Sequence, residues 1–348
     1  MRLGLQYLLS VPEVGKDAIA QKYDEFFREV EWANDHFESL WLTEHHFSDY
    51  GVTSSPLLLL AKASAIAPDI RVGTSIVILP LWNPVRLAED ILTLDSISNG
   101  RVELGIGRGY QPYEFRGFGV DIGKSRAMFE EGVEVVLDCF KKTDHTFAGD
   151  HFSIDAPITV LPRPTQLPHP PIWMASTSPA SIEYAAKMGF NFMAGTAGGP
   201  SELAVQGDFI KQALTKYPNA TRNPEFEVNR FVYCSNDTDN INRAIKESMW
   251  QTKVSGSLAD GNIPVGGRNQ VSTSATSEDE DYFRNRMLLG TPEQIIAQLE
   301  ALAKAGGSLI LCQFRFGGMP HDLAYESMQL FAREVAPAAK SIVSETLQ

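Results

Sequence analysis

The sequence predicts a single-domain α/β protein, a (β/α)8 (TIM) barrel with insertions spanning residues 1–348, and three observations carry that reading. Eight extended runs, at residues 2–8, 39–43, 71–78, 101–106, 171–174, 191–194, 226–234 and 308–314, alternate with helical patterns. Strands separated by helices pair in parallel, and eight of them suit a closed ring. The length of 348 residues accommodates a barrel of about 250 residues plus insertions, and the hydrophobic fraction of 43% supplies a substantial core. No linker divides the chain.

In chain order, Arg2 to Leu8 reads as the first strand, too short and too soon followed by Pro12 and Glu13 to be a secretory signal. A helix follows, with Phe27, Val30, Glu31 and Asn34 at helical spacing. The second strand, ending at Trp41-Leu42-Thr43, breaks into Glu44-His45-His46-Phe47, and a helix restarts at Ser54-Ser55-Pro56. The third strand carries Gly73-Thr74-Ser75-Ile76 and the fourth runs into Gly105-Ile106-Gly107-Arg108-Gly109-Tyr110. Six prolines between Pro157 and Pro171 make a rigid connector into the fifth strand, which ends in Ala175-Ser176-Thr177-Ser178-Pro179-Ala180-Ser181. The stretch from Ser255 to Asp281 is rich in Gly, Ser, Asn and acids. It exceeds the roughly 12–15 residues usual for structureless loops, which makes it either a mobile lid, as its place after the seventh strand suggests, or plain disorder.

The strand ends carry the chemistry. Histidine exchanges protons near neutral pH, and loops at the C-terminal face of a barrel are where such folds place catalytic groups. Adjacent residues leaving a strand point in opposite directions, so at most one of His45 and His46 faces a pocket directly while the other supports it; the plainer reading of either is a satisfied structural donor between loop and strand. Glu44 either orients an imidazole or forms a barrel-interior salt bridge. Glu-His-His lacks the helical spacing of a zinc motif, and His36, His145, His151, His169 and His321 are scattered, so no metal site is expected. The glycines around Arg108, with Arg126 opening the next helix, suit a phosphate held by backbone amides and two cations; a tight turn and a surface salt bridge are the plainer readings. That loop is not a dinucleotide fingerprint, because Arg108 and Gly109 fall out of register and Pro112 stands where a helix should begin. Ser178 caps a helix with Pro179 at its first position, which leaves other amides free for an anion.

A net charge of −13 argues against nucleic-acid partners and anionic membrane surfaces, both of which favour basic patches. Three cysteines, Cys139, Cys234 and Cys312, form neither a Cys-x-x-Cys motif nor an even set, which suits a reducing cytoplasmic setting. No apolar run reaches the ~20 residues needed to cross a bilayer.

In this order, Glu44-His45-His46-Phe47, Gly73-Thr74 through Leu79-Pro80, Asn83 to Asp90, Gly100-Arg101, Gly105 to Gly109, Phe118 to Asp121 with Ser125-Arg126, and Gly290-Thr291-Pro292-Glu293 resemble the bacterial luciferase-like flavin-dependent monooxygenases. The resemblance implies a two-component enzyme that receives reduced FMN from a separate flavin reductase. The flavin reacts with dioxygen to give a C4a-peroxyflavin, and one oxygen atom passes to a small organic substrate such as an aldehyde or ketone. His45 falls on the catalytic histidine, with Glu44 and His46 beside it. Arg108, Arg126, Thr177, Ser178 and Ser181 fall on the phosphate seat, and Thr74, Ser75, Ile76, Gly107 and Gly109 on the cofactor side of the pocket. Ser75 and Ile76 fall where members of the family place a non-prolyl cis peptide beneath the flavin ring. Gln6 and Gly107 stand where luciferase has a bulkier or reactive side chain, which argues against light emission and a long-chain aldehyde. Members are usually dimers, and the apolar helix from Ser54 to Ala67 either serves that contact or packs in the barrel wall. The alternatives are a deazaflavin (F420)-dependent dehydrogenase and a non-catalytic flavin-binding subunit.

Overall fold

The computed structural model describes residues 1–12, 17–195, 198–218, 223–271, 277–345 and 347. Eight parallel strands form its barrel: β1 (Arg2–Tyr7), β2 (Ser39–Leu42), β3 (Arg71–Thr74), β4 (Val102–Gly107), β5 (Ile172–Ala175), β6 (Asn191–Met193), β7 (Phe226–Cys234) and β8 (Leu309–Gln313). Each of the eight overlaps a run expected from the sequence. Each pairs with its neighbour in chain order, and the ring closes because β8 pairs with β1, with Leu5 opposite Cys312. The shortest strand, β6, joins β5 to β7 through Phe192 opposite Phe226 and Met193 opposite Glu227. Buried β-branched and aliphatic residues fill the space between this ring and its helices, as expected where both faces of a parallel sheet are covered.

The sequence reading is corrected at four places. The third extended run, expected as unbroken from 71 to 78, stops at Thr74 and resumes at Val77–Ile78, and the Ser75–Ile76 peptide between them is cis. An antiparallel hairpin, His145–Ala148 with Ser153–Ile158, precedes the proline-rich connector. Its second strand is mostly exposed, so it left no apolar alternation to read. A short extra strand, Leu288–Gly290, pairs with the end of β7. The stretch from Ser255 to Asp281 is not structureless throughout: Ser255 lies in the helix Thr238–Ala259, a turn bridges Val265 and Arg268, and a helix spans Ser277–Arg286. Residues 272–276 of that stretch lie outside the described residues.

The helix after β1, Ala18–Ala33, buries Glu25, Phe26, Glu29, Val30 and Ala33 rather than the face expected through Phe27, Glu31 and Asn34. Its two buried glutamates face Arg315, just past β8, which donates to Glu29 Oε1 at 2.6 Å and to Glu25 Oε2 at 2.7 Å. Buried charges persist only when paired, so this ion cluster draws the first helix to the last strand. The helix Pro112–Gly117 begins at Pro112 itself. Proline suits a first helical position because the amide it lacks has no partner there, so its presence did not argue against a helix.

The barrel floor is apolar. Trp41 and Trp173 meet edge to face at 5.4 Å, packed with Met193, Leu309 and Leu311. Gly73 has no room for a side chain, since an added Cβ would lie 2.5 Å from the Trp41 ring. The Trp173 indole donates to Glu103 Oε2 at 2.7 Å, and Arg71 donates to the other oxygen. Trp173→Ala therefore removes a packed ring and a carboxylate partner together. We expect a loss of about 3–5 kcal/mol in urea denaturation; a loss below about 1 kcal/mol would mean that the floor repacks around the gap.

Candidate active site

A cavity of about 630 Å³ opens at the C-terminal ends of the strands. On its wall stand Glu44, His45, Ser75, Ile76, Gly107, Arg108, Gly109, Arg126, Thr177, Ser178 and Ser181, contributed by loops far apart in the chain. The barrel thus gathers these expected site residues in one space. His46 and Thr74 are not on that wall. The Thr74 hydroxyl donates to the Gly105 carbonyl at 2.7 Å and accepts from the Gly105 amide at 3.0 Å, so it ties β3 to β4. His46 turns away and its Nε2 lies 2.8 Å from Glu44 Oε1.

The carboxylate and both imidazoles of the Glu-His-His segment have partners. Glu44 is buried and accepts from the Ile78 amide at 2.8 Å and from the Trp82 indole at 3.0 Å. It is therefore a hub that holds the second-strand loop to the segment after the break in β3. His45 is held by a residue that the sequence reading missed. Its Nδ1 lies 3.0 Å from Oε1 of Glu114, and the same oxygen accepts from the His46 amide at 2.9 Å. A carboxylate oxygen only accepts, so this network assigns the proton to Nδ1 and leaves Nε2 as the basic nitrogen. With its proton directed at Glu114, Nδ1 does not accept from Gln111 Nε2, 3.2 Å away, which donates instead to the Tyr110 hydroxyl, whose oxygen is 3.0 Å from Ser255 Oγ. The edge of the Tyr50 ring completes the collar at 4.8 Å. Burial raises the Tyr50 phenol well above its ordinary value, so it stays neutral beside the imidazole.

The anion-binding candidates differ in their engagement. Arg108 is exposed and carries no hydrogen bond or ion pair among the described residues. Arg126 is paired with Glu130 one helical turn on, at 3.0 Å, with 61% of its side chain exposed. An exposed pair of this kind is weak, so an incoming anion competes readily for the guanidinium. Ser178 and Ser181 form a reciprocal capping box at the start of the helix Pro179–Met188. Gly107 makes the wall flat where it faces the cis peptide, since an added Cβ would sit 2.6 Å from the Ile76 side chain.

Beyond the expected residues, Gln6, Glu227, Asn229 and Gln251 also line the cavity, and each has a buried polar atom without a hydrogen bond among the described residues. Burial raises the Glu227 carboxyl well above the usual carboxylate range. The three cysteines are buried and none lines the cavity; burial pushes the Cys139 thiol up to about 11. No group of three or more His, Cys, Asp or Glu among the described residues is arranged to hold a metal ion, and none of the described helices is long and apolar enough to cross a membrane.

Comparison with known proteins places this geometry. Residues 8–309 match the family described as luciferase-like monooxygenase. The oxygenase component of the flavin-dependent trigonelline monooxygenase of Acinetobacter baylyi is 25% identical over 334 residues, which cover 91% of this chain and 90% of that protein. The alkanal monooxygenase alpha chain of Aliivibrio fischeri is 27% identical over 322 residues, covering 87% and 89%. Among solved structures, the monooxygenase RslO1 from Streptomyces bottropensis matches with a TM-score of 0.85 at 27% identity, covering 97% of this chain and 99% of that one. The chain belongs to the luciferase-like monooxygenase family, and it is a flavin-dependent monooxygenase, an oxidoreductase built on a closed eight-stranded parallel barrel.

Proposed function

We propose that the protein is the oxygenase component of a two-component system, receiving reduced FMN from a separate reductase and using dioxygen to oxygenate a small organic substrate. The observation that carries this reading is the convergence of His45, pinned by Glu114, with Arg108, Arg126, Thr177, Ser178 and Ser181 on one cavity wall. The residues fit such a cofactor: a free guanidinium and a helix start suit its phosphate, and the glycine-lined face beside Ser75–Ile76 suits a flat ring. Reduced FMN, when bound, supplies the electrons that activate dioxygen.

The chain's own residues do the rest. Arg108 and Arg126 hold the phosphate, with Thr177, Ser178 and Ser181 completing the seat from the fifth strand. His45 exchanges a proton at Nε2 while Glu114 keeps Nδ1 protonated and the ring fixed. Glu44 and His46 hold that loop in place rather than touching the reacting atoms. Of the expected lid, residues 255–271 cover the mouth and exclude water. Their support is the seam they make with the second-strand loop, where the Asp49 amide donates to the Gly267 carbonyl at 2.8 Å and the Asn269 amide donates to Asp49 Oδ1 at 3.1 Å. The protein works in the cytoplasm as a homodimer paired through the helix Pro56–Ile66, on which Leu58 is 74% exposed.

Three variants test the assignment. Arg108→Ala removes a charge-assisted contact worth about 1.5–3 kcal/mol, so FMN affinity measured by fluorescence quenching should fall roughly 10- to 100-fold; unchanged affinity ends the phosphate role. His45→Ala should leave that affinity within about twofold and lower product formation per reduced FMN by roughly 100-fold or more, the usual scale of a general acid–base group. Glu114→Ala should lower kcat about tenfold or more at unchanged KM, with partial recovery in Glu114→Asp, as for a positioning residue. Equal losses in kcat and in flavin affinity would make Glu114 merely structural. Rapid mixing of the reduced-FMN complex with oxygenated buffer checks the reaction class, because tight deazaflavin binding without reactivity toward oxygen would replace it with a dehydrogenase.

A further inference from the structure

The cavity has two unlike halves. The elements that fit a flavin lie on β3, β4 and β5: Ser75–Ile76, Arg108 and Thr177 to Ser181. In the ring order, β8 stands diametrically opposite β4, flanked by β7 and β1. Gln6 comes from β1, and Glu227 and Asn229 are alternate, inward-facing residues of β7. Gln251 joins them from the helix that follows β7.

These four side chains are between 1% and 6% exposed, and each has one polar atom without a hydrogen bond among the described residues: Gln6 Oε1, Glu227 Oε1, Asn229 Oδ1 and Gln251 Nε2. Buried polar groups are normally satisfied, and four exceptions on one wall of one cavity are a statement about what binds there. The donor and acceptor characters are partly fixed. Gln251 Oε1 accepts from the Gly317 amide at 2.9 Å and from Ser10 Oγ at 2.7 Å, so its Nε2 is the donor it turns toward the cavity, beside the Tyr50 hydroxyl. Gln6 Nε2 donates to Ser75 Oγ at 2.8 Å, which leaves its oxygen as an acceptor. Burial raises the Glu227 carboxyl well above the usual carboxylate range, which favours the protonated form that can donate. Apolar Leu8, Met193, Phe231 and Met287 lie on the same cavity.

We propose that this wall is the substrate-selecting half of the cavity, and that it takes a compact, uncharged molecule carrying a hydrogen-bond donor beside an acceptor, such as a lactam or carboxamide, in preference to a long alkyl chain. An alkyl chain would cover the four polar atoms and leave them unpaired, whereas an amide edge pairs with acceptors and donors together. The inference rests on the reading of this cavity as the site shared by flavin and substrate.

The test compares three probes on the full-length protein, with and without oxidised FMN, by ligand-observed NMR titration. They are 2-piperidone, with donor and acceptor; cyclohexanone, of the same ring size with an acceptor alone; and decanal. Piperidone should bind at least about tenfold tighter than cyclohexanone, the scale at which a site built for hydrogen bonds rejects an analogue lacking one. In Asn229→Leu, and separately in Asn229→Ala, that ratio should fall towards one while FMN affinity stays within twofold; thermal melting selects the variant that folds. Equal binding of the two rings, no detectable piperidone binding or tightest binding of decanal overturns the proposal. A tenfold loss of FMN affinity in these variants with the ratio unchanged assigns the wall to the flavin and overturns it equally. Failure of the flavin reading itself would look different: no FMN binding in the wild type, with the piperidone preference intact.

Discussion

Closure of the ring is the constraint on which the rest depends. Its weakest link is β6, three residues long, yet Phe192 opposite Phe226 and Met193 opposite Glu227 hand the sheet from β5 to β7. Because side chains alternate along a strand, that register also decides which residues of β7 face inward. A slip of one residue would turn Glu227, Asn229 and Phe231 out of the cavity and bring Val228 and Arg230 into it. Arg230 instead lies outside the ring, donating to the Asn229 and Gly198 carbonyls, and burial lowers its guanidinium to about 10. The polarity of the cavity wall is thus a consequence of how the barrel closes.

Two carboxylates then convert that scaffold into a site. Glu44 and Glu114 are each almost wholly buried, a position that is costly unless donors surround the charge. An amide, an indole and the His46 imidazole provide those donors for Glu44, while the His45 imidazole and the His46 amide provide them for one oxygen of Glu114, whose Oε2 has no hydrogen bond among the described residues; these contacts hold the loop after β2 against the segment between β3 and β4 and against the helix Pro112–Gly117. His45 has little freedom left within this mesh. A catalytic imidazole gains from such a setting, because its tautomer and orientation are set before any ligand arrives.

Much of this was legible in the sequence. The eight strands, the loop bearing His45, the cation at Arg108 and the capped helix at Ser178 were readable because each is written locally, in apolar periodicity or in turn and capping chemistry. Thr74 was misread as a cofactor contact because a hydroxyl at a strand end gives no sign of whether it faces a ligand or a neighbouring backbone. Glu114 was missed altogether. It stands 69 residues from His45 and within an ordinary short helix, with no signal of its partner.

By itself, then, the sequence determined the fold class, the order of the elements and the identity of the groups able to exchange protons or hold an anion, since these follow from neighbours along the chain. Only the tertiary structure decided which imidazole faces the cavity, which carboxylate holds it, and that a wall of buried amides and one buried carboxyl confronts the glycine-lined face. Those pairings depend on register and closure, which arise from contacts between residues tens to hundreds of positions apart and leave no trace in local periodicity.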